Sequence, residues 1–213
     1  MVRESFLVWL TAAVLFLWAV KKVGGVSISR SGCGQSKLCI EEPKFCDPSS
    51  CSGSCLFSSI ESTSTSIRFS LSGKAEGFVV LELKSSTKFQ SIMFICGRNG
   101  SEVFLQVDPP RAPLTAQQMF QADFSGEVKG SVIRCTFRFP LSDITRLNTN
   151  NDAVFSVELG TGRVIAPLGP VNVVMRTGFL DVTEPKAYGR AACPSALLSA
   201  LILPVLITVA LMK

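Results

Sequence analysis

From Ile67 to Val182 the apolar residues fall in short runs, and in several of these every second position is apolar. Ile67, Phe69 and Leu71 alternate with Arg68, Ser70 and Ser72; Ile133, Cys135, Phe137 and Phe139 alternate with Arg134, Thr136 and Arg138. A period of two puts one set of side chains on a buried face and the other toward water, as in a half-buried strand. Phe78 to Leu83, Ser91 to Cys96, Glu102 to Val107, Ala153 to Leu159 and Val171 to Met175 are further strand candidates. Turn signals separate them at Gly73, Gly97 to Gly100, Asp108 to Pro110, Asn148 to Asp152 and Gly160 to Gly162. No helical period competes, so the pattern predicts an all-β antiparallel sandwich. Most of the 15 Phe fall on its inward positions, where they read as core rather than as a ligand box.

Both ends of the chain break the pattern. Phe6 to Val20 is an apolar run behind Arg3, followed by Gly24 and Gly25. This order predicts a signal peptide over residues 1–25, with an uncleaved signal anchor as the alternative that Lys21 and Lys22 keep open. Ala196 to Met212 is a second apolar run, with Lys213 behind it. Small residues precede it, so residues 196–213 read as a glycosylphosphatidylinositol signal, with lipid attached at Gly189 or Ala187 and residues 186–195 as spacer. A single membrane-spanning helix is the other reading, since the run lies at the lower length limit for a span. Either way, the C-terminus tethers the domain to a membrane on the extracellular or lumenal side.

Five cysteines, Cys33, Cys39, Cys46, Cys51 and Cys55, crowd into a segment rich in Gly, Pro and Ser. Residues 26–58 therefore read as a Cys-rich unit held by disulfides, ahead of a sandwich over 59–185. Zinc would need paired thiolates at closer spacing. Connectivity within the cluster stays open, as does the fate of Cys193. Cys96 and Cys135 each sit inside a candidate strand, and a bridge between those two strands is the natural pairing. Asn99-Gly100-Ser101 is an N-glycosylation sequon in a predicted turn.

The net charge of +5 is a property of the ends: between Val26 and Gly189 there are 16 Lys and Arg against 15 Asp and Glu. No basic cluster marks a nucleic-acid partner. The chain has 213 residues and no histidine, which removes Ser-His-Asp catalysis and any His-ligated zinc or haem supplied by this chain alone. Glu41-Glu42 is an adjacent acidic pair, read as a solvated loop rather than as acid–base machinery.

The ordered set Ser31-Gly32-Cys33-Gly34, Cys39, Pro43 to Cys46, Gly77 to Leu81, Cys96 and Val132 to Arg138 resembles the DOMON domain of the ferric-chelate reductase 1 and ferric-chelate reductase 1-like family. The resemblance implies an immunoglobulin-like sandwich with a bridge between the Cys96 and Cys135 strands. It also implies, for redox-active members, a b-type haem held by Met and His beside a cytochrome b membrane domain. This sequence departs from that pattern. It has no His, it reads Lys88-Phe89-Gln90-Ser91 where such members carry a Met-Gly-Gly-Asp-like turn, and Met93 falls in the next strand at an expected core position. The expectation is a non-catalytic interaction module without a cofactor. By analogy with the shorter family member its partner would be a receptor subunit, with assembly of AMPA-type glutamate receptors as the precedent. The rival expectations are a haem-binding or ferric-chelate reductase-type protein, with Tyr188 or Cys as substitute ligands, and, more remotely, a hydrolase or transferase.

Overall fold

The structure, a computed structural model, describes residues 25–50, 54–87, 90–100, 102–108, 123–164 and 169–188. Ten strands follow one another: β1 (Leu38–Glu42), β2 (Leu56–Ser62), β3 (Ser66–Lys74), β4 (Phe78–Ser85), β5 (Ser91–Asn99), β6 (Glu102–Asp108), β7 (Ser125–Lys129), β8 (Val132–Pro140), β9 (Val154–Gly162) and β10 (Asn172–Asp181). One short helix, α1 (Leu141–Thr145), starts directly behind Pro140, whose fixed φ suits a helix entry. The strands form two five-stranded sheets, β1-β2-β3-β8-β7 and β10-β9-β4-β5-β6, in which every pairing is antiparallel.

The alternation explains the stacking. Ile67, Phe69 and Leu71 of β3 and Ile133, Cys135, Phe137 and Phe139 of β8 meet Val79, Leu81 and Leu83 of β4, Phe94 of β5 and Phe155, Val157 and Leu159 of β9 in one core. Its centre is aromatic: the rings of Phe69, Phe94, Phe137 and Phe139 lie with centroids 4.9 to 6.1 Å apart. Each such ring contributes about 2–3 kcal/mol of burial. Cys96 and Cys135 stand among them and join β5 to β8, so their disulfide ties one sheet to the other with the Cα atoms 6.3 Å apart.

The sandwich departs from the expected boundaries at its start. Leu38 and Ile40 of β1 and Leu56 of β2 lie in the core, inside the stretch that reads as a separate Cys-rich unit. The spacing hid β1 because its two core residues are separated only by Cys39 and are followed at once by Glu41 and Glu42. Glu41-Glu42 is strand, not loop, and Glu41 is buried. The Cys-rich chain beyond β1 then folds back over the outer face of its own sheet. A register row crosses that face, from Glu41 to Phe57, Ser72, Arg134 and Glu127. Phe57 is fully buried there, and the Arg134 guanidinium donates to the carbonyls of Pro48 and Ser49 at 3.1 Å each and pairs with Glu127 at 3.0 Å. The Val26 amide donates to the same Glu127 carboxylate. A segment too poor in apolar residues to form a core is thus used as a cover, stapled at Cys33–Cys39 and Cys46–Cys55.

Gly160 to Gly162, which reads as a turn, lies in β9. Gly162 is there because the Phe78 ring lies across it: a Cβ at Gly162 would stand 2.1 Å from that ring. Gly97 repeats the arrangement under Phe104, at 2.2 Å. These rings, with Val80, Ile95 and Met93, form a second apolar cluster on the outer face of the other sheet. Met93 therefore packs outside the sandwich and not in the core between the sheets.

Candidate functional site

β1 and β10 are edge strands of opposite sheets and meet on one side of the sandwich. Between them, roofed by the N-terminal cover and by the turn that follows β10, lies a groove of about 640 Å³. Arg30, Glu41, Lys44 and Phe45 line it from one side, and Phe179, Lys186 and Tyr188 from the other.

The strand period turns the Glu41 side chain outward from β1 and into this corner. One carboxylate oxygen, Oε1, accepts from Arg30 Nη1 at 2.8 Å and from the Phe45 amide at 3.1 Å. The other, Oε2, is buried without a hydrogen-bond partner. Arg30 also donates to the Cys46 carbonyl, and its guanidinium stands 5.2 Å from the centre of the Phe45 ring. Phe45 adopts a left-handed backbone with φ of 63° and leaves 80% of its surface exposed. Such a conformation is uncommon outside glycine and asparagine, and here the Phe45 amide donates a hydrogen bond to the Glu41 carboxylate. Phe179, where β10 is irregular, is 59% exposed. Tyr188 holds its phenolic proton more tightly than usual, through partial burial first and then the charges of Glu41 and Glu42.

Chemically, the groove offers aromatic faces, exposed ammonium groups on Lys44 and Lys186, and one carboxylate already neutralised by Arg30. Another buried carboxylate, Glu158 on β9, is held by Lys84 at 2.7 Å and Arg176 at 2.6 Å, a structural ion cluster on the opposite sheet. Among the described residues no three His, Cys, Asp or Glu side chains gather in a way that could hold a metal ion, and no helix is long and apolar enough to cross a membrane.

The other residues singled out in the sequence fall elsewhere. Cys96 pairs with Cys135, Cys33 with Cys39 and Cys46 with Cys55; Cys51 and Cys193 lie outside the described residues. Asn99 ends β5, exposed, opposite Glu102 in the hairpin that Gly100 turns with φ of 64°. Ala187 is partly buried against the core in a turn closed by its amide on Glu184, while Gly189 lies outside the described residues. Lys88 and Phe89 also lie outside them, and Gln90 closes the β4–β5 connection through its carbonyl. Arg30, Phe45 and Phe179 carry the groove without having been singled out. The available signal for Phe45 was a lone aromatic between Lys44 and Cys46 in a polar stretch; Phe179, after Gly178 and before Leu180, offered none.

No protein-family profile matches the chain, and no solved structure matches it. A Danio rerio protein described as "Putative ferric-chelate reductase 1" is 27% identical over 139 residues, which are 61% of this chain and 24% of that protein. The chain thus spans about a quarter of that relative's length, and the similarity is a distant relatedness.

Proposed function

We propose that the chain is a non-catalytic contact module of the DOMON type, tethered by its C-terminal apolar run in a secretory-pathway or surface membrane, with the sandwich on the oxidising side. The observation that carries this reading is the state of Glu41. The groove's buried carboxylate is committed to Arg30 and to the Phe45 amide, so its hydrogen bonds serve the groove's shape rather than a reaction. Three disulfides suit the compartment. Exposed aromatics beside exposed cations suit contact with another surface. The partner would be a membrane protein, with a glutamate-receptor subunit as the specific form suggested by analogy.

The description of the fish relative as "Putative ferric-chelate reductase 1" favours a second reading, a haem or ferric-chelate redox protein. An absorption spectrum of the full chain purified from a secretory host separates the two. A colourless protein that co-purifies with receptor subunits in mild detergent supports the contact module. A reducible Soret band that survives dialysis overturns it.

A further inference from the structure

We propose that the groove end of the sandwich rests on the phospholipid surface, with Phe45 and Phe179 entering the headgroup layer and Lys44 and Lys186 facing lipid phosphates. The inference deepens the contact-module reading and rests on its C-terminal tether.

Three observations converge. First, of the described large apolar side chains, Phe45 and Phe179 are the most exposed, and both line one groove although they come from opposite ends of the sequence. Phe45 in addition keeps a left-handed backbone while its ring faces solvent, with the Arg30 guanidinium 5.2 Å from the ring centre. Second, the charged residues lining the groove are Arg30, Lys44 and Lys186 against Glu41 alone, and Glu41 is occupied by Arg30. Lys44 and Lys186 remain as the exposed lining cations, each with an acid two residues before it along the chain, Glu42 and Glu184. Aromatic rings with basic neighbours suit an interface that is apolar below and phosphate-lined above. Third, the last described residue, Tyr188, lines the same groove, and the apolar run Ala196 to Met212 begins eight residues later. Those residues reach at most roughly 27 Å when fully extended. Lipid attachment at Gly189 would shorten the tether further. A chain held in the membrane by that run therefore keeps the groove end within about that distance of its bilayer.

The opposite end supplies the control. Val164 follows β9, whose Phe155 end registers with Leu180 beside the groove; the strand itself separates the two by roughly 26 Å. Val164 is also exposed.

The test uses the full chain with Trp9 and Trp18 replaced by Phe, carrying one reporter at a time: Phe45→Trp, Phe179→Trp or Val164→Trp. Each is reconstituted into nanodiscs of phosphatidylcholine and phosphatidylserine, with or without bromine on the acyl chains. Emission from the Phe45→Trp and Phe179→Trp reporters should fall about twofold in brominated lipid, as for rings at the headgroup–acyl boundary, and emission from Val164→Trp should not change. Adding Lys44→Glu and Lys186→Glu should reduce the quenching. If the chain enters nanodiscs but the two groove reporters are quenched no more than the Val164→Trp control, the orientation is wrong and the aromatic pair is left for a protein partner. If the chain does not enter nanodiscs at all, the tether reading falls and takes the orientation with it.

Discussion

Arg30 and Glu41 show how a single residue pair decides what the groove is. With Arg30 present, the Glu41 carboxylate is a neutralised wall; without it, an ionised group whose side chain is only 8% exposed loses its cation. Arg30→Ala should therefore destabilise the protein by about 2 kcal/mol, since an unpaired buried charge costs more than the pair contributes. Adding Glu41→Gln to Arg30→Ala should restore part of that loss, and chemical denaturation of the two variants measures it. Equal stability of both would show that the pair does not hold the groove. Glycine acts at the same scale on the other sheet. Gly97→Ala pushes a methyl into the Phe104 ring and Gly162→Ala into Phe78, so each should lower stability by about 1–3 kcal/mol. Gly100→Ala meets no neighbouring atom but has φ of 64°, so it tests backbone conformation alone.

At the scale of elements, the cover built from the Cys-rich segment is held by the Arg134 fork and by the Cys46–Cys55 loop. Arg134→Lys keeps the charge but cannot donate to Pro48, Ser49 and Glu127 from one planar group. It should loosen the cover: protease cleavage between Lys44 and Ser54 should rise several-fold while the near-ultraviolet signal of the aromatic core stays. Replacing both Cys46 and Cys55 by Ser should do the same, with a loss of about 2–3 kcal/mol for a loop of this length. These elements also show where the sequence was readable. Strands β3 and β8 were legible because both faces obey a period of two. The cover's role was not, because Phe57 and Ser72 are buried on what should be a solvated face, and only the chain folded back over them explains it. β7, Ser125–Lys129, carries Val128 as its single large apolar residue and gave no periodic signal; hydrogen bonding to β8 makes it a strand. The groove was illegible for a similar reason: Phe45 and Phe179 are brought together by the meeting of two sheet edges, which no local pattern encodes.

The whole molecule is a sandwich whose two sheets, cover and C-terminal turn are fastened at separate points, and pH reaches those points from opposite directions. Asp47, in the cover, has its pKa lowered chiefly by the Ser49 hydroxyl and amide. A lowered folded-state pKa stabilises above the unfolded value of about 3.9 and is lost as pH falls through the folded value. Tyr188, in the turn that closes the groove, has its pKa raised by burial and by Glu41 and Glu42. Its contribution is intact below the unfolded value of about 10 and is lost as pH climbs through that value toward the folded one. With no histidine in the chain, no side chain with an ordinary pKa changes charge between about pH 5 and 8, so stability should be flat there and decline at both ends. Asp47→Asn should be the less stable protein at neutral pH and converge with the parent as acid is added. Tyr188→Phe should lose less stability than the parent between about pH 9 and 11. Thermal unfolding followed across that range distinguishes the two limbs. Identical alkaline limbs with and without the phenol would mean that neither the burial of Tyr188 in the C-terminal turn nor the charges of Glu41 and Glu42 bear on its ionisation.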